Sequence, residues 1–105
     1  MEVYISTQND VNYFQVLSPL LQMPPENVRL PLYQRLLELN LQLTSATLGV
    51  YLDIVYLFSE MKLSGLDQAR IQNAIIQMAA YANELDSKLV AEFGGKLYSE
   101  MSPSP

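Results

Sequence analysis

Two runs of β-branched and aromatic residues open the chain, at residues 2–7 and at Val11–Gln22. Such side chains pack well on a pleated surface, so both runs predict β-strands. Gln8-Asn9-Asp10 separates them, and these residue types favour turns because they cap their own backbone and tolerate left-handed conformations. The pattern predicts a β-hairpin whose second strand bends near Ser18-Pro19. Pro19 is expected at an edge or a bulge because proline donates no hydrogen bond to a sheet.

A leucine-rich segment follows residues 23–27, where two prolines stop strand pairing. Its apolar residues recur every three or four positions, which predicts one face of a helix of about 14 residues that ends at Thr44-Ser45. Pro25 or Pro31 is expected in the first turn, where a missing N–H is harmless. The predicted apolar face contains Leu32, Leu36, Leu39 and Leu43, widened by Tyr33 and Leu37. The opposite, polar face contains Arg35, Glu38 and Gln42.

Residues 46–63 are again rich in β-branched and aromatic side chains and predict two antiparallel strands. The reversal is expected near Leu52-Asp53-Ile54, although no Asn-Gly or Gly-Gly pair marks it. A single long strand with a bulge is the alternative. Because positions 50–58 are apolar almost without interruption, we expect both faces of the sheet to be covered, one of them by another subunit.

The last regular element is predicted to be a long helix. Ser64 or Asp67 is expected to cap its first turn, and Gly94-Gly95 to end it, because glycine adopts the left-handed C-cap without steric cost. The predicted apolar face contains Ile71, Ile75, Met78, Ala82, Leu85, Leu89 and Phe93. Small residues flatten part of the helix and allow a sheet or another helix to approach closely; they are Ala74, Ala79, Ala80 and Ala82.

Together these elements predict an α+β domain at residues 1–98, followed by a flexible tail at residues 99–105. The architecture expected is a two-layer sandwich of an antiparallel sheet packed by two helices, in the order β-β-α-β-β-α. Half of the 105 residues are hydrophobic and 16% are charged. A chain of this size buries only about two-thirds of its unfolded surface, so part of the apolar supply is expected in an interface.

The net charge of −5 argues against two classes of partner. An acidic surface repels phosphate backbones and anionic lipids, so we expect neither nucleic acid nor a membrane surface as a partner. No apolar run reaches the roughly 18 residues of a spanning helix, and the first residues lack a signal-peptide pattern. These features predict a cytoplasmic protein.

Side chains suited to catalysis or metal binding are scarce. The chain has no histidine and no cysteine, which are the commonest general base and the most reactive nucleophile. The serines lie outside any nucleophile elbow, and no calcium-loop pattern occurs. Gly94-Gly95-Lys96 resembles a phosphate loop only weakly, because it follows a helix instead of linking a strand to one. We predict a protein without enzymatic activity, cofactor or bound metal.

Several short motifs occur in a fixed order between residues 14 and 93: Leu36-Leu37-Glu38-Leu39-Asn40, Thr47-Leu48-Gly49, Tyr51-Leu52-Asp53, Glu60-Met61-Lys62-Leu63 and Gly65-Leu66-Asp67. In this order they resemble the YbjN-like proteins, which are similar in turn to the type III secretion chaperone superfamily. The resemblance implies an α+β sandwich ordered α-β-β-β-α-β-β-α that is usually dimeric. It also implies binding of extended or helical protein segments without catalytic residues, and related short proteins occur in cyanobacteria.

The leading helix and first strand of that order have no counterpart before Glu2. Either the chain is naturally short, or a partner or a second copy supplies the missing element. Because this leaves a sheet edge and a helix face without cover, we predict that the protein forms a homodimer.

We therefore predict a protein-binding module, a chaperone or assembly adaptor that holds a segment of a client protein by strand addition or helix-in-groove docking. The alternative is a small-ligand-sensing regulatory domain, which needs convergent polar groups that the sequence does not identify. Asn40 is interpreted as bonding to local backbone groups where the first helix ends, and contact with a client is its alternative role. The residues expected at the protein interface are Tyr51, Tyr56, Phe58, Met61 and Leu63.

Overall fold

The computed structural model describes residues 1–65 and 67–100, which form strands and helices in nearly the predicted order. The two helices are joined to their neighbouring strands by short irregular links, and 3-10 turns occur at Glu26–Val28 and Tyr98–Glu100. The regular elements are β1 (Glu2–Gln8), β2 (Val11–Gln22), α1 (Arg29–Asn40), β3 (Thr47–Tyr51), β4 (Ile54–Lys62), α2 (Gln68–Phe93) and β5 (Lys96–Leu97).

Both predicted hairpins are confirmed, and each turns through two residues in the left-handed region. Asn9 and Asp10 have φ values of 50° and 64°, and Leu52 and Asp53 have φ values of 49° and 64°. Such turns match the right-handed twist of the flanking strands. The reversal at Leu52 is therefore where the apolar pattern placed it, and the alternative of a single long strand is wrong.

The described strands form one antiparallel sheet in the order β1-β2-β4-β3, and β5 pairs with the end of β2. The register of β2 against β4 shifts between Pro19 and Leu21, which confirms the bulge predicted at Pro19. The bulge allows proline to occupy a central strand, because its missing N–H falls where the ladder is interrupted.

The α1 helix begins at Arg29 and ends at Asn40, so it is shorter than predicted and does not reach Thr44-Ser45. Pro31 lies in its first turn, as predicted, where backbone N–H groups have no helical partner. The Asn40 side chain accepts a hydrogen bond from the N–H of Leu48 (2.7 Å) and donates one to its carbonyl (3.2 Å). The prediction that Asn40 bonds to backbone groups is confirmed, but the partner is Leu48 of the β3 strand, not the local backbone where α1 ends.

The α2 helix is capped at both ends as its sequence predicts. Asp67 Oδ1 accepts the N–H of Arg70 at 2.8 Å, so Asp67 is the N-cap. At the other end the N–H of Gly94, whose φ is 81°, donates to the Val90 carbonyl at 2.9 Å. At Gly95 a Cβ would lie 2.6 Å from the Gln22 carbonyl oxygen. Glycine there lets the chain return close to the sheet and form β5, which the pattern did not predict.

Both helices pack on the same face of the sheet, and the predicted two-layer α+β sandwich is confirmed. Strand residues buried on that face meet apolar residues of α1 and α2 in one core. Its members are Phe14, Val16, Leu20, Leu21, Met23, Leu32, Leu36, Leu39, Leu48, Val55, Leu57, Met78, Ala82, Leu85 and Leu89. Within the described residues no helix covers the other face, which we call the open face. Its cover by another subunit stays a prediction.

The domain boundary at residue 98 also stays a prediction. Ser99 and Glu100 lie in the 3-10 turn that begins at Tyr98. The rest of the predicted tail, residues 101–105, lies outside the described residues.

Candidate functional site

The five residues predicted at the protein interface lie on two sides of the sheet. Tyr51, Tyr56 and Phe58 project from the open face; Tyr51 is 66% exposed, and the other two are half-buried. Met61 and Leu63 pack against the core on the helix side. The structure therefore brings Tyr56 and Phe58 together and separates them from Met61 and Leu63. Whether any of the five contacts a partner stays a prediction.

The centre of the open face is apolar. In the sheet register, Phe58 lies between Leu17 and Thr47, and Tyr56 lies between Pro19 and Gly49. Lateral packing against these neighbours explains why both aromatic rings are half-buried without a covering helix. A Cβ added at Gly49 would meet no atom within 4 Å, so this position leaves the surface open beside Tyr56.

The β1 strand forms one edge of the sheet and exposes apolar side chains on both faces. On the helix side, Val3 and Ile5 pair with buried residues of β2, yet they are 47% and 67% exposed because α2 packs over β2. On the open side Tyr4 is exposed, and its hydroxyl donates to the Glu2 carboxylate. This hydrogen bond is the main cause that raises the pKa of Tyr4 above its ordinary value.

The outer backbone edge of β1 is unpaired in the described part of the chain. It is seven residues long and contains no lysine or proline, the residues that commonly prevent strand addition at a sheet edge. The edge therefore offers backbone donors and acceptors beside uncovered apolar side chains.

The opposite edge of the sheet is bordered by α1, which is apolar on two opposite faces. Its inner face is buried at Leu32, Leu36 and Leu39. A second stripe with spacings of three, four and four residues points outward: Leu30, Tyr33, Leu37 and Leu41, which are 78%, 39%, 68% and 90% exposed. A surface helix normally carries polar residues on its free side, so a second, exposed apolar stripe is typical of a face that contacts a partner.

Two predictions about α1 are corrected by this arrangement. Tyr33 and Leu37 do not widen the buried face, because they belong to the outward stripe. Arg35 was predicted on the outer polar face, but it is half-buried and its Nε lies 3.5 Å from Glu92 Oε2 of α2. That contact is a charge interaction without hydrogen-bond geometry. Glu38 and Gln42 are exposed, as predicted.

The start of α1 lies against the turn between β3 and β4. Arg29 Nη1 lies 3.6 Å from Asp53 Oδ1, and the Asp53 carbonyl accepts the N–H of Met23 at 2.8 Å. These contacts hold the start of α1 against the turn, where Leu52 is 78% exposed and the adjacent Tyr51 is 66% exposed. The α1 stripe and the exposed apolar residues of this turn thus lie at the same side of the sheet.

A groove of about 290 Å³ lies between the first half of α2 and the link that joins α1 to β3. Its floor is apolar and includes Met61 and Met78, and its rim carries Arg70, Asn73 and Gln77 from successive turns of α2. The sequence did not identify these convergent polar groups, because they meet only when the link packs against α2. Their recurrence at positions 70, 73 and 77 was the available signal.

The described residues do not form two other kinds of site. No group of three or more acidic side chains there is arranged to hold a metal ion. Neither α1 nor α2 is long and apolar enough to cross a membrane.

Comparison with known proteins extends the resemblance seen in the sequence. No curated protein matches the chain. One family model does match, over residues 1–101, and it therefore includes the β1–β2 hairpin and both helices. The chain accordingly belongs to the family described as T3SS (YopN, CesT) and YbjN peptide-binding chaperone 1, or TY-Chap1, and has the chaperone-like, protein-binding role of that family.

Proposed function

We propose that the protein binds an extended segment of a client protein by adding it as a strand along β1. The observation that carries this proposal is the unpaired edge of β1 with Val3 and Ile5 exposed beside it. Membership of a peptide-binding family supports a peptide as the occupant. In this role the protein acts as a chaperone or assembly adaptor in the cytoplasm.

Strand addition suits a chaperone because the edge recognises backbone groups that every client shares. Alternate side chains of the client then rest against Val3 and Ile5 on one side and near Tyr4 on the other. The edge is seven residues long, so it accommodates about 23 Å of extended chain at roughly 3.3 Å per residue. Apolar residues at alternate positions of the client supply selectivity.

We also infer that the protein is a homodimer through the outward stripe of α1. The spacing of the stripe is nearly symmetric about residue 35. An antiparallel pair of α1 helices related by a two-fold axis there places Leu30 opposite Leu41 of the partner subunit. It also places Tyr33 opposite Leu37 of the partner subunit. A two-fold interface must be self-complementary in this way, which favours a second copy as the occupant.

The α1 helix alone is too short to form a stable interface, so the contact must include residues beyond it. A standard interface buries about 800 Å² on each partner, and α1 is only about 18 Å long at 1.5 Å per residue. Val50, Tyr51 and Leu52 adjoin the start of α1 and are exposed, so we include them. In this arrangement the predicted interface residue Tyr51 contacts the second copy.

Peptide selection tests the client site. A random-peptide phage library is panned on immobilised wild-type protein, and the recovered peptides are measured by fluorescence anisotropy. We expect alternating apolar residues in the peptides and about tenfold weaker binding to Ile5→Lys, because an edge lysine opposes strand addition and removes an apolar contact. Leu41→Lys is the control, because it places a lysine at an exposed apolar position of the other edge. Failure to recover peptides, or equal losses in the two variants, would contradict the proposal.

Cross-linking tests the homodimer, because the chain has no cysteine of its own. Gln34 lies beside the inferred two-fold axis, so Gln34→Cys should form a disulfide-linked dimer on mild oxidation. Gln72→Cys, exposed on α2, is the control and should remain unlinked. Light scattering at micromolar concentration should give the mass of a dimer for the wild type. A monomeric mass, or equal cross-linking of both variants, would refute the inference.

A further inference from the structure

The groove between α2 and the link at residues 41–46 has no role in strand addition at β1, since α2 stands between them. Three turns of α2 form one wall, and the link together with β4 forms the other. Small residues create the space, because Ala46 and Ala74 face it from opposite walls. The Ser59 hydroxyl donates to the Ser45 carbonyl at 2.7 Å and fixes the link to the floor.

The chemistry of the groove is divided between an apolar floor and a polar rim. Met61, Ala74 and Met78 supply aliphatic and thioether surface at the bottom, and Met78 is only 2% exposed. Methionine adapts its shape to different neighbours, which suits a site that receives more than one side chain. Asn73 and Gln77 offer amide groups above this floor.

Among the residues that the structure describes, Arg70 is the only charged one that lines the groove. Within the described residues its guanidinium forms no ion pair, whereas Arg29 and Arg35 each have a carboxylate partner. The nearby Asp67 uses its carboxylate to cap α2 through the backbone N–H of Arg70. The guanidinium is thus a local positive charge on a chain with a net charge of −5.

We propose that this groove anchors one aliphatic side chain of the client, with an adjacent Asp or Glu of the client placed against Arg70. The proposal rests on the proposed function, since it adds a second contact for the same client. Charge complementarity selects the acidic residue, because a guanidinium pairs with a carboxylate in a defined geometry. The volume of about 290 Å³ lies at the lower limit of the usual range for small-molecule sites and also accommodates one aliphatic side chain.

The distance between the two contacts fits a single client segment. An added strand beside β1 is separated from β4 by three strand spacings, about 14 Å in total. About five extended residues span that distance. Because α2 stands between the two contacts, a client that pairs with β1 must pass around the helix to reach the groove, and it needs more residues than this direct distance requires.

A charge swap at Arg70 tests the anchor by its effect on peptide preference. Peptides panned on wild-type protein should contain an aliphatic residue followed or preceded by Asp or Glu. Panning on Arg70→Glu should replace that acidic residue by Lys or Arg and leave the alternating apolar pattern intact. Arg70→Lys should retain the acidic preference. Lys88→Glu, which reverses an exposed charge elsewhere on α2, is the control and should select the same peptides as the wild type.

Affinity measurements on a recovered acidic peptide provide a second readout. Arg70→Ala should weaken binding only about threefold, because an ion pair at an exposed rim is worth little. Ala74→Phe should weaken it about tenfold or more by filling the space for the aliphatic side chain. A thermal melt of Ala74→Phe checks that this variant is folded. If it is not folded, the Arg70 variants still test the anchor.

The outcomes separate failure of the anchor from failure of the proposed function. Peptides that need Ile5 but show no acidic position, or an unchanged preference in Arg70→Glu, would refute the anchor alone. Recovery of no peptide by the wild type would refute both. A metabolite that raises the melting temperature of the wild type but not of Ala74→Phe would overturn the anchor in favour of small-ligand sensing.

Discussion

The two edges of the sheet are both apolar, but they expose different groups. At β1 no helix of the described residues borders the strand, so its backbone is open together with isolated side chains such as Ile5. At β3 the strand is bordered by α1, which exposes a continuous stripe of large side chains with its own symmetry. The β1 edge therefore exposes mainly backbone hydrogen-bonding groups. The β3 edge exposes mainly a surface of large apolar side chains.

This difference suggests that the two edges bind different partners. Backbone pairing tolerates many sequences, which a chaperone needs if its clients vary. A self-complementary stripe accepts few partners, because each side chain must find a matching space. We therefore assign the client to β1 and the second copy to α1, and the two sites should respond independently to mutation.

The largest effect is expected from Leu37→Glu in the outward stripe. The new carboxylate would be buried without a partner in the dimer, so self-association should weaken by about a hundredfold or more. Light scattering should then give a monomeric mass, while peptide affinity stays within about twofold of the wild type because the sites are independent. Gln72→Glu on α2 is the control. Loss of peptide binding in a folded Leu37→Glu monomer would show that the edges are not separate.

Asn40→Ala should lower the free energy of unfolding by about 2 kcal/mol, because it leaves two backbone groups of half-covered β3 without their side-chain partner. The bonds lost are those to the N–H and carbonyl of Leu48. Urea denaturation measures the effect. Asn83→Ala, on the exposed side of α2, is the control and should change the free energy of unfolding by less than about 0.5 kcal/mol. Binding of a recovered peptide should persist. Lost binding in a fully folded Asn40→Ala variant would instead place Asn40 at the client.

A smaller, stabilising effect is expected at the turn between β3 and β4. Leu52 has a φ of 49°, and asparagine tolerates this left-handed conformation better than leucine does. In the monomeric Leu37→Glu background, where no dimer contact is lost, Leu52→Asn should therefore raise the free energy of unfolding by about 1 kcal/mol. Leu41→Asn, at a position with a φ of −73°, should give no such gain in the same denaturation assay. Equal changes in both variants would mean that loss of exposed leucine, not turn strain, is the cause.

The smallest effect is expected at Gly49 on β3. A side chain there meets no atom within 4 Å, so Gly49→Val should raise the free energy of unfolding by about 0.5 kcal/mol by restricting the unfolded chain. Peptide affinity should not change, and Gly49→Ala provides a smaller matched substitution. If peptide binding weakened more with valine than with alanine at this position, the client would have to bind at the open face or at β3.

The parts of the fold that were predictable from sequence have local causes. Asn9-Asp10 adopts its turn, Asp67 caps α2 and Gly94 ends it through groups that lie within a few residues of one another. The bulge at Pro19 likewise follows from the missing N–H of proline. These signals were sufficient for the order of the larger elements and for the two-layer architecture.

The features that escaped prediction depend on contacts between distant segments. Periodicity shows that α1 has apolar stripes but not which of them meets the sheet, so Tyr33 and Leu37 were assigned to the wrong face. The two-residue β5 forms only because Gly95 lets the chain approach β2. The groove requires the link to pack against α2, which no local pattern encodes. A second leucine stripe, visible at Leu30 and Leu41, was the one signal that could have revealed the outward face.

Hydrogen exchange with and without a recovered peptide tests the central claim most directly, because it reports protection at each segment of backbone. If the client adds as a strand to β1, the amides in residues 2–8 should exchange more slowly when the peptide is bound. The amides of β3 should remain unchanged, since α1 and the second copy, not the client, border that edge. Protection that appears in β3 while β1 is unaffected would contradict the account.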